Sequence, residues 1–306
     1  MVPIAAKPGR PLLSAAAAIV GLALLAAPAT RAQAEVADSK GLAVHYDVHG
    51  DLRSGGTPLL VLHGAYMSAD AMAPFVERFA RTRPVIAVDL RGHGRTGDAD
   101  GPITYEAMAD DAAAVLDAAG VRQADVFGYS MGGSAAFQMA IRHPEKVAKL
   151  VSVSAGTRLD SAYPEVLAGI AQITPEVFDG SPIRREYDRL APRPQDFPIL
   201  VEKLKVLDAT PFDWNAEMRA LGHKTMIVMG DYDIMGPEHA VEMFRMRGGG
   251  APELAARGFL TEPPLARLLV LPGTSHIGVM AEAETIVTLV TPFLDDVTPP
   301  MPPGFF

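Results

Sequence analysis

Short apolar runs alternate along the chain with segments whose apolar residues recur at helical spacing. Residues 44–48, 58–62 (PLLVL), 84–89 (PVIAVD), 124–128, 149–154, 225–229 (TMIVM) and 268–271 read as strands. Residues 69–81, 105–119, 131–142, 237–245 and 281–294 carry the helical period between them. Continuously apolar strands need cover on both faces, and the intervening helices supply it. The pattern predicts an α/β fold, a mainly parallel doubly wound sheet.

Three stretches depart from the alternation. Residues 158–221 offer helical segments and many prolines but no strand, and are expected to form a helical cap inserted between two strands. Residues 248–264 are rich in glycine and proline and read as a loop, long for a compact domain. The end of the chain, 298–306 (TPPMPPGFF), reads as a flexible tail. There is no internal repeat.

The first 34 residues have the pattern of a signal peptide. Lys7 and Arg10 are followed by an apolar run over 11–29, and Ala32-Gln33-Ala34 forms a small-x-small cleavage site before Glu35. Export to the periplasm or the medium is expected, with a mature domain over 35–306. An uncleaved anchor is the rival, because the run approaches the length that spans a bilayer. Its alanines, Gly21 and Pro28 favour cleavage, so no stable membrane insertion is expected afterwards.

Without Lys7, Arg10 and Arg31 the chain keeps 24 basic against 36 acidic residues. An acidic balance argues against nucleic acid or an anionic membrane as partner, since both need basic patches. Zero cysteines exclude disulfides, thiolate metal sites and a cysteine nucleophile. Stability must come from core packing.

The candidate chemistry centres on Gly128-Tyr129-Ser130-Met131-Gly132, which fits G-x-S-x-G between a predicted strand and a predicted helix. In that setting the serine sits on a sharp turn, and side chains two positions to either side would collide with strand or helix. The helix N-terminus turns the Met131 amide toward the same space. A tight packing turn would need the same glycines, so the partners decide.

A serine hydroxyl needs a histidine base oriented by a carboxylate. Of the downstream histidines, His143 and His223 sit near helix and strand ends and His239 falls inside a helix; all three are expected to be satisfied surface residues. His276 stands in a loop directly after the last strand, where a sheet edge presents reactive groups. The acid follows 225–229, in Gly230-Asp231-Tyr232-Asp233. Gly230 is expected to turn the chain out of the strand, leaving Asp231 on its shoulder and bringing Asp233 under the histidine. After 58–62 comes His63-Gly64-Ala65-Tyr66, where the Ala65 amide is expected to join that of Met131 in an oxyanion hole.

These motifs, with Asp89-Leu90-Arg91-Gly92-His93-Gly94 as a D-x-R-G-x-G loop, resemble those of the α/β-hydrolase superfamily, in its branch of single-domain serine esterases. The resemblance runs from Gly41 to Asp295, with 158–221 at the place of the family's variable cap. It implies catalytic Ser130, Asp233 and His276, and an acyl-enzyme route to ester hydrolysis with no cofactor and no metal. Lactones, amides and carbon–carbon bonds beside ketones are alternative substrates of the same site, and a non-catalytic binding protein is the alternative of another class.

Tyr66 and Tyr129 are expected to touch the substrate. With Met67, Ile234, Met235 and Ile277 they suggest an apolar pocket and a small-molecule ester with an apolar acyl group. Gly92-His93-Gly94-Arg95-Thr96-Gly97 spells a dinucleotide fingerprint, yet Gly101 and Pro102 postpone the helix that would have to open within those glycines. A nucleotide site is not expected.

Overall fold

The fold is that of a computed structural model, which describes residues 33–301 and Gly304. Eight strands form one sheet in the order β1-β2-β4-β3-β5-β6-β7-β8. They are β1 (Gln33–Ser39), β2 (Leu42–His49), β3 (Leu59–Leu62), β4 (Val85–Val88), β5 (Ala124–Tyr129), β6 (Val147–Val153), β7 (Lys224–Tyr232) and β8 (Ala266–Ser275). Strand β2 runs antiparallel to both of its neighbours, β1 and β4, and every other neighbouring pair is parallel. A mainly parallel, doubly wound α/β sheet is what the alternating pattern predicts.

The central strands show why such a sheet needs two covers. Leu60, Leu62, Ile86, Val88 and Val126 feed one core, and Leu59, Val61, Val85, Ala87 and Phe127 feed the other. The period of two distributes one apolar run between both faces. On the first face lie α2 (Tyr105–Ala118), α3 (Met131–Arg142) and α8 (Pro237–Met246). On the second lie α1 (Ala73–Phe79) and α10 (Ala283–Leu294). Helix α3 is buried from Met131 to Ala140, so its position behind the sheet edge is set on all sides.

Two expectations need correction, those for the 248–264 loop and for Gly230. Strand β1 begins at the last two residues of the expected leader segment, where Gln33 and Ala34 pair with Val48 and Asp47. The rest of that segment, 1–32, lies outside the described residues, as do 302, 303, 305 and 306 of the predicted tail. The 248–264 loop contains the short helix α9 (Pro252–Ala255). Strand β7 continues through Gly230 to Tyr232, so Gly230 does not end it. Among the described residues no helix is long and apolar enough to cross a membrane.

Between β6 and β7 the chain leaves the sheet and builds α4 (Pro164–Ala171), α5 (Pro182–Leu190), α6 (Phe197–Ala209) and α7 (Asn215–Ala220). The two ends of this excursion are clamped. Leu159 N donates to Phe212 O at 3.1 Å, and Trp214 N to Thr157 O at 2.8 Å. Phe197 packs edge-on against both Phe178 and Tyr187, and all three join the apolar core of the sheet's first face. Arg189 and Lys203 tie them to Asp70 and Asp98 of the sheet domain, each at 2.7 Å.

Candidate active site

Ser130 follows β5 and opens α3 with φ 54° and ψ −121°, a conformation that side chains rarely adopt. Two close approaches make the turn possible. A Cβ on Gly128 would lie 2.2 Å from the Gly132 carbonyl oxygen, and one on Gly132 would lie 2.4 Å from that of Leu62. Only glycine fits at either position. The turn is held by hydrogen bonds from Ser130 N to Val153 O and from Gly133 N to Ser130 O, both 2.8 Å.

Three residues far apart in sequence meet above this turn. Ser130 Oγ lies 2.9 Å from His276 Nε2, and His276 Nδ1 lies 2.7 Å from Asp233 Oδ1. An imidazole protonated on Nδ1 accepts the serine proton on Nε2, the order of roles that nucleophile activation requires. His276 directly follows β8, as its predicted place at the sheet edge demands.

Asp233 is 6% exposed and holds its charge through several donors. Besides His276, Oδ1 accepts the Ile234 amide at 2.8 Å, and Oδ2 accepts the Ser154 hydroxyl at 2.6 Å. Burial pushes this carboxyl up, but His276 and then Ser154 and the Ile234 amide outweigh it and hold it below the ordinary carboxylate value. Asp231 sits apart. It is exposed, and its Oδ1 accepts the Thr274 amide at 3.0 Å, which bridges β7 to the histidine loop. A Cβ on Gly230 would lie 1.9 Å from Thr274 O. That glycine allows β8 to bulge over β7 and carry His276 across to Asp233.

The front of the site is the His63–Tyr66 turn after β3. The His63 ring is fully buried and bonded at both nitrogens: Nδ1–H donates to Gly64 O at 2.7 Å, and Nε2 accepts the Leu90 amide at 3.0 Å. It staples this turn to the loop after β4. There Asp89, also fully buried, accepts the amides of Ala69 at 2.7 Å and Arg95 at 2.9 Å. A Cβ on Gly94 would lie 2.2 Å from the Asp89 carboxylate, so the glycine of that loop leaves room for it. The D-x-R-G-x-G segment thus supports the site from below, and no helix opens in it before α2. Ala65 and Met131 both line the cavity beside Ser130, and no hydrogen bond among the described residues uses the amide of either.

The cavity measures about 760 Å³. The sheet edge forms its floor, and α4, α5 and α6 contribute its other walls, with Val166, Leu167, Ile170 and Ile183 facing in. Tyr66, Met67, Ile234, Met235 and Ile277 all line it, as their positions beside the motifs suggest. Tyr66 holds φ 62°, its ring packs at a tilt against Phe178 with centroids 4.7 Å apart, and its hydroxyl is buried without a partner. Tyr129 is engaged differently. It is 2% exposed, its hydroxyl donates to the His276 carbonyl at 2.9 Å, and its ring lies where a side chain on Gly64 would be. It lies beneath the histidine loop and, like Tyr66, lines the cavity.

The remaining downstream histidines lie elsewhere. His143 meets Asp110 at 2.8 Å, and His223 meets the Pro144 carbonyl at 2.9 Å. His239 is buried, contrary to its expected surface place: Nε2 accepts the Thr157 amide at 3.1 Å, and Nδ1 lies 3.0 Å from Glu242. It belongs to the hinge between cap and sheet. Ser154, the support of Asp233, was not singled out in the sequence; its one signal is a polar residue closing an apolar strand, next to the start of the cap. Among the described residues no group of three or more His, Asp or Glu side chains could hold a metal.

A doubly wound sheet with a strand–serine–helix turn and a histidine directly after the last strand is the arrangement that the α/β-hydrolase resemblance implies. Comparison with known proteins agrees. Residues 57–204 match the family model of the alpha/beta hydrolase fold. A 2-hydroxymuconate semialdehyde hydrolase of Pseudomonas sp. (strain CF600) is 31% identical over 204 residues, 60% of this chain and 72% of that one. A putative carbamate hydrolase, RutD, of Azorhizobium caulinodans is 38% identical over 117 residues, 38% of this chain and only 43% of the relative's length. A thermophilic esterase structure from Thermogutta terrifontis superposes with a TM-score of 0.63 at 23% identity, covering 87% of this chain and 100% of that one. The chain belongs to the α/β-hydrolase superfamily.

Proposed function

We propose that the protein is a serine hydrolase of carboxylic esters, working through an acyl-enzyme. The observation that carries this reading is the continuous hydrogen-bonded chain from Ser130 through His276 to Asp233. Ser130 Oγ attacks the ester carbonyl while its proton passes to His276 Nε2. The resulting imidazolium is stabilised by Asp233, and the amides of Ala65 and Met131 receive the tetrahedral oxyanion. Collapse of that intermediate expels the alcohol, which takes the proton from Nε2. Water then attacks the acyl-enzyme with His276 again as base, releasing the acid and restoring Ser130.

The mostly apolar cavity supports a small-molecule ester with an apolar acyl group. The longer relative favours a second reading, hydrolysis of a carbon–carbon bond beside a ketone, because its match reaches across 60% of the chain. A screen of acyl esters of graded length, with lactones, amides and a diketone alongside, separates the two. A fluorophosphonate probe should label the wild type and fail to label Ser130→Ala; an unlabelled wild type would retire both readings. Export is part of the proposal, supported by the leader pattern of 1–34, and N-terminal sequencing of the exported chain should begin at Glu35.

A further inference from the structure

Four charged side chains line the cavity, and three of them are neutralised. Asp70 pairs with Arg95 at 2.9 Å and Arg189 at 2.7 Å, Glu186 with Arg189 at 2.7 Å, and Arg158 with Asp160 at 2.9 Å and Glu242 at 3.2 Å. The fourth, Asp208 on α6, has no hydrogen bond or ion pair among the described residues. Burial alone acts on its carboxyl and pushes it up to about 6, so it is ionised at neutral pH in largely apolar surroundings. It also stands in the last turn of its helix, where the dipole disfavours an acid. Neither packing nor helix stability accounts for an aspartate here.

Its surroundings are those of a polar subsite. Ser134 lies one turn beyond Ser130 on α3, about 6 Å along the same face, and lines the cavity together with the buried Tyr105. Asp208 acts electrostatically on both Tyr105 and Tyr66, and Tyr66 is the tyrosine whose hydroxyl is buried without a partner. A polar wall therefore leads from the candidate nucleophile to an unpaired carboxylate, inside a cavity that is otherwise apolar.

We propose that Asp208 is a specificity-determining residue: with the Tyr66 hydroxyl near it, it receives a hydrogen-bond donor, hydroxyl or ammonium, carried by the substrate away from the scissile carbonyl, and it rejects substrates with an anion there. The inference rests on the ester-hydrolase reading of Ser130. It narrows the substrate class from apolar esters to esters with an apolar middle and a donor at the remote end.

The test uses straight-chain esters of graded length whose far end is methyl, hydroxyl, ammonium or carboxylate, placed in one series on the acyl chain and in another on the alcohol. At the length that reaches Asp208, hydroxyl or ammonium should raise kcat/KM over methyl about tenfold, mainly through KM, and carboxylate should lower it by a similar factor. The hydroxyl and ammonium arms show which donor is preferred. Asp208→Leu should abolish both effects, and Asp208→Asn should keep a hydroxyl preference while losing discrimination between ammonium and carboxylate. Circular dichroism and thermal melting establish that both variants fold. If carboxylate is tolerated at every length, or the discrimination survives in folded Asp208→Leu, the proposal is wrong. Calorimetric binding of the same compounds to Ser130→Ala reads the terminal preference without turnover. An ordered binding series with no hydrolysis would refute the esterase and leave Asp208 standing, and hydrolysis with a flat series would do the reverse.

Discussion

Asp89, fully buried under the cavity, and Asp208, half-buried in its cap wall, are both carboxylates beside the site, and the protein treats them in opposite ways. Asp89 is met by the amides of Ala69 and Arg95, by the Arg95 guanidinium at 3.4 Å and by His45 at 3.3 Å. Burial raises its carboxyl, yet these partners more than reverse that and hold it at about 2. Nothing among the described residues answers Asp208, and burial leaves it at about 6. At the sheet edge the buried groups Asp89, Asp233 and His63, and His276 beside them, each meet named partners. The cap is finished where it joins the sheet's first core and at its clamps to the sheet, and is left open where it faces the cavity. Satisfied polar groups fix geometry, and an unsatisfied one facing a cavity is free to meet a ligand.

The largest test of this contrast is chemical. Ser130→Ala should lower ester turnover by about 10⁶, because the nucleophile acts as a unit with its base, while the melting temperature changes little. Near-normal turnover in a preparation free of host esterases would undo the reading of the sheet edge.

Asp233→Asn comes next, at about 10⁴ in kcat, since an amide holds the imidazole in the wrong tautomer. Asp231→Asn should cost about tenfold or less, acting only through the Thr274 bridge. A reversed ranking in steady-state kinetics would move the orienting role to Asp231.

The two carboxylates of the comparison should shift stability in opposite directions. An acid held low when folded contributes stability that is complete above its unfolded value and lost as pH falls through the folded one. For Asp89, at about 2 when folded, that loss falls between about pH 4 and pH 2, and Asp89→Asn should cost about 2 kcal/mol in denaturant unfolding at pH 7. An acid held high imposes a penalty that grows as pH rises from its unfolded value and is complete above the folded one. Asp208→Asn should therefore stabilise the protein by about 1 kcal/mol above pH 6, a few degrees in Tm, and do nothing below about pH 4. If both variants destabilise at neutral pH, Asp208 has a structural partner and the contrast fails.

A smaller effect is expected of Tyr129→Phe, which removes the hydroxyl from the His276 carbonyl and leaves the ring beside Gly64. Loss of one neutral hydrogen bond of about 1 kcal/mol should lower kcat several-fold through a looser histidine loop. A change confined to KM would make Tyr129 a substrate contact and leave the histidine loop unaffected.

The sequence by itself determined the features that local sterics and periodicity control. Two-sided apolar runs required a sheet covered by helices, and Gly128 and Gly132 marked the one turn where strand and helix approach too closely for a side chain. Order along the chain then pointed to Asp233 and His276. Tertiary structure alone decided what depends on the meeting of distant segments. Strand β1 is polar at Glu35 and Asp38 and becomes a strand only through its ladder to β2, at the sheet edge. Gly230 looked like a turn because glycine often is one, but what requires it is the Thr274 carbonyl pressed against it from β8. Ser154 supports Asp233 from 79 residues away, and Tyr129 supports His276 from 147. No periodicity encodes such encounters, since they arise only when the sheet brings its strand ends into register. The solitude of Asp208 is of the same kind, because the lack of a partner is a property of the assembled cavity and of no segment of the chain.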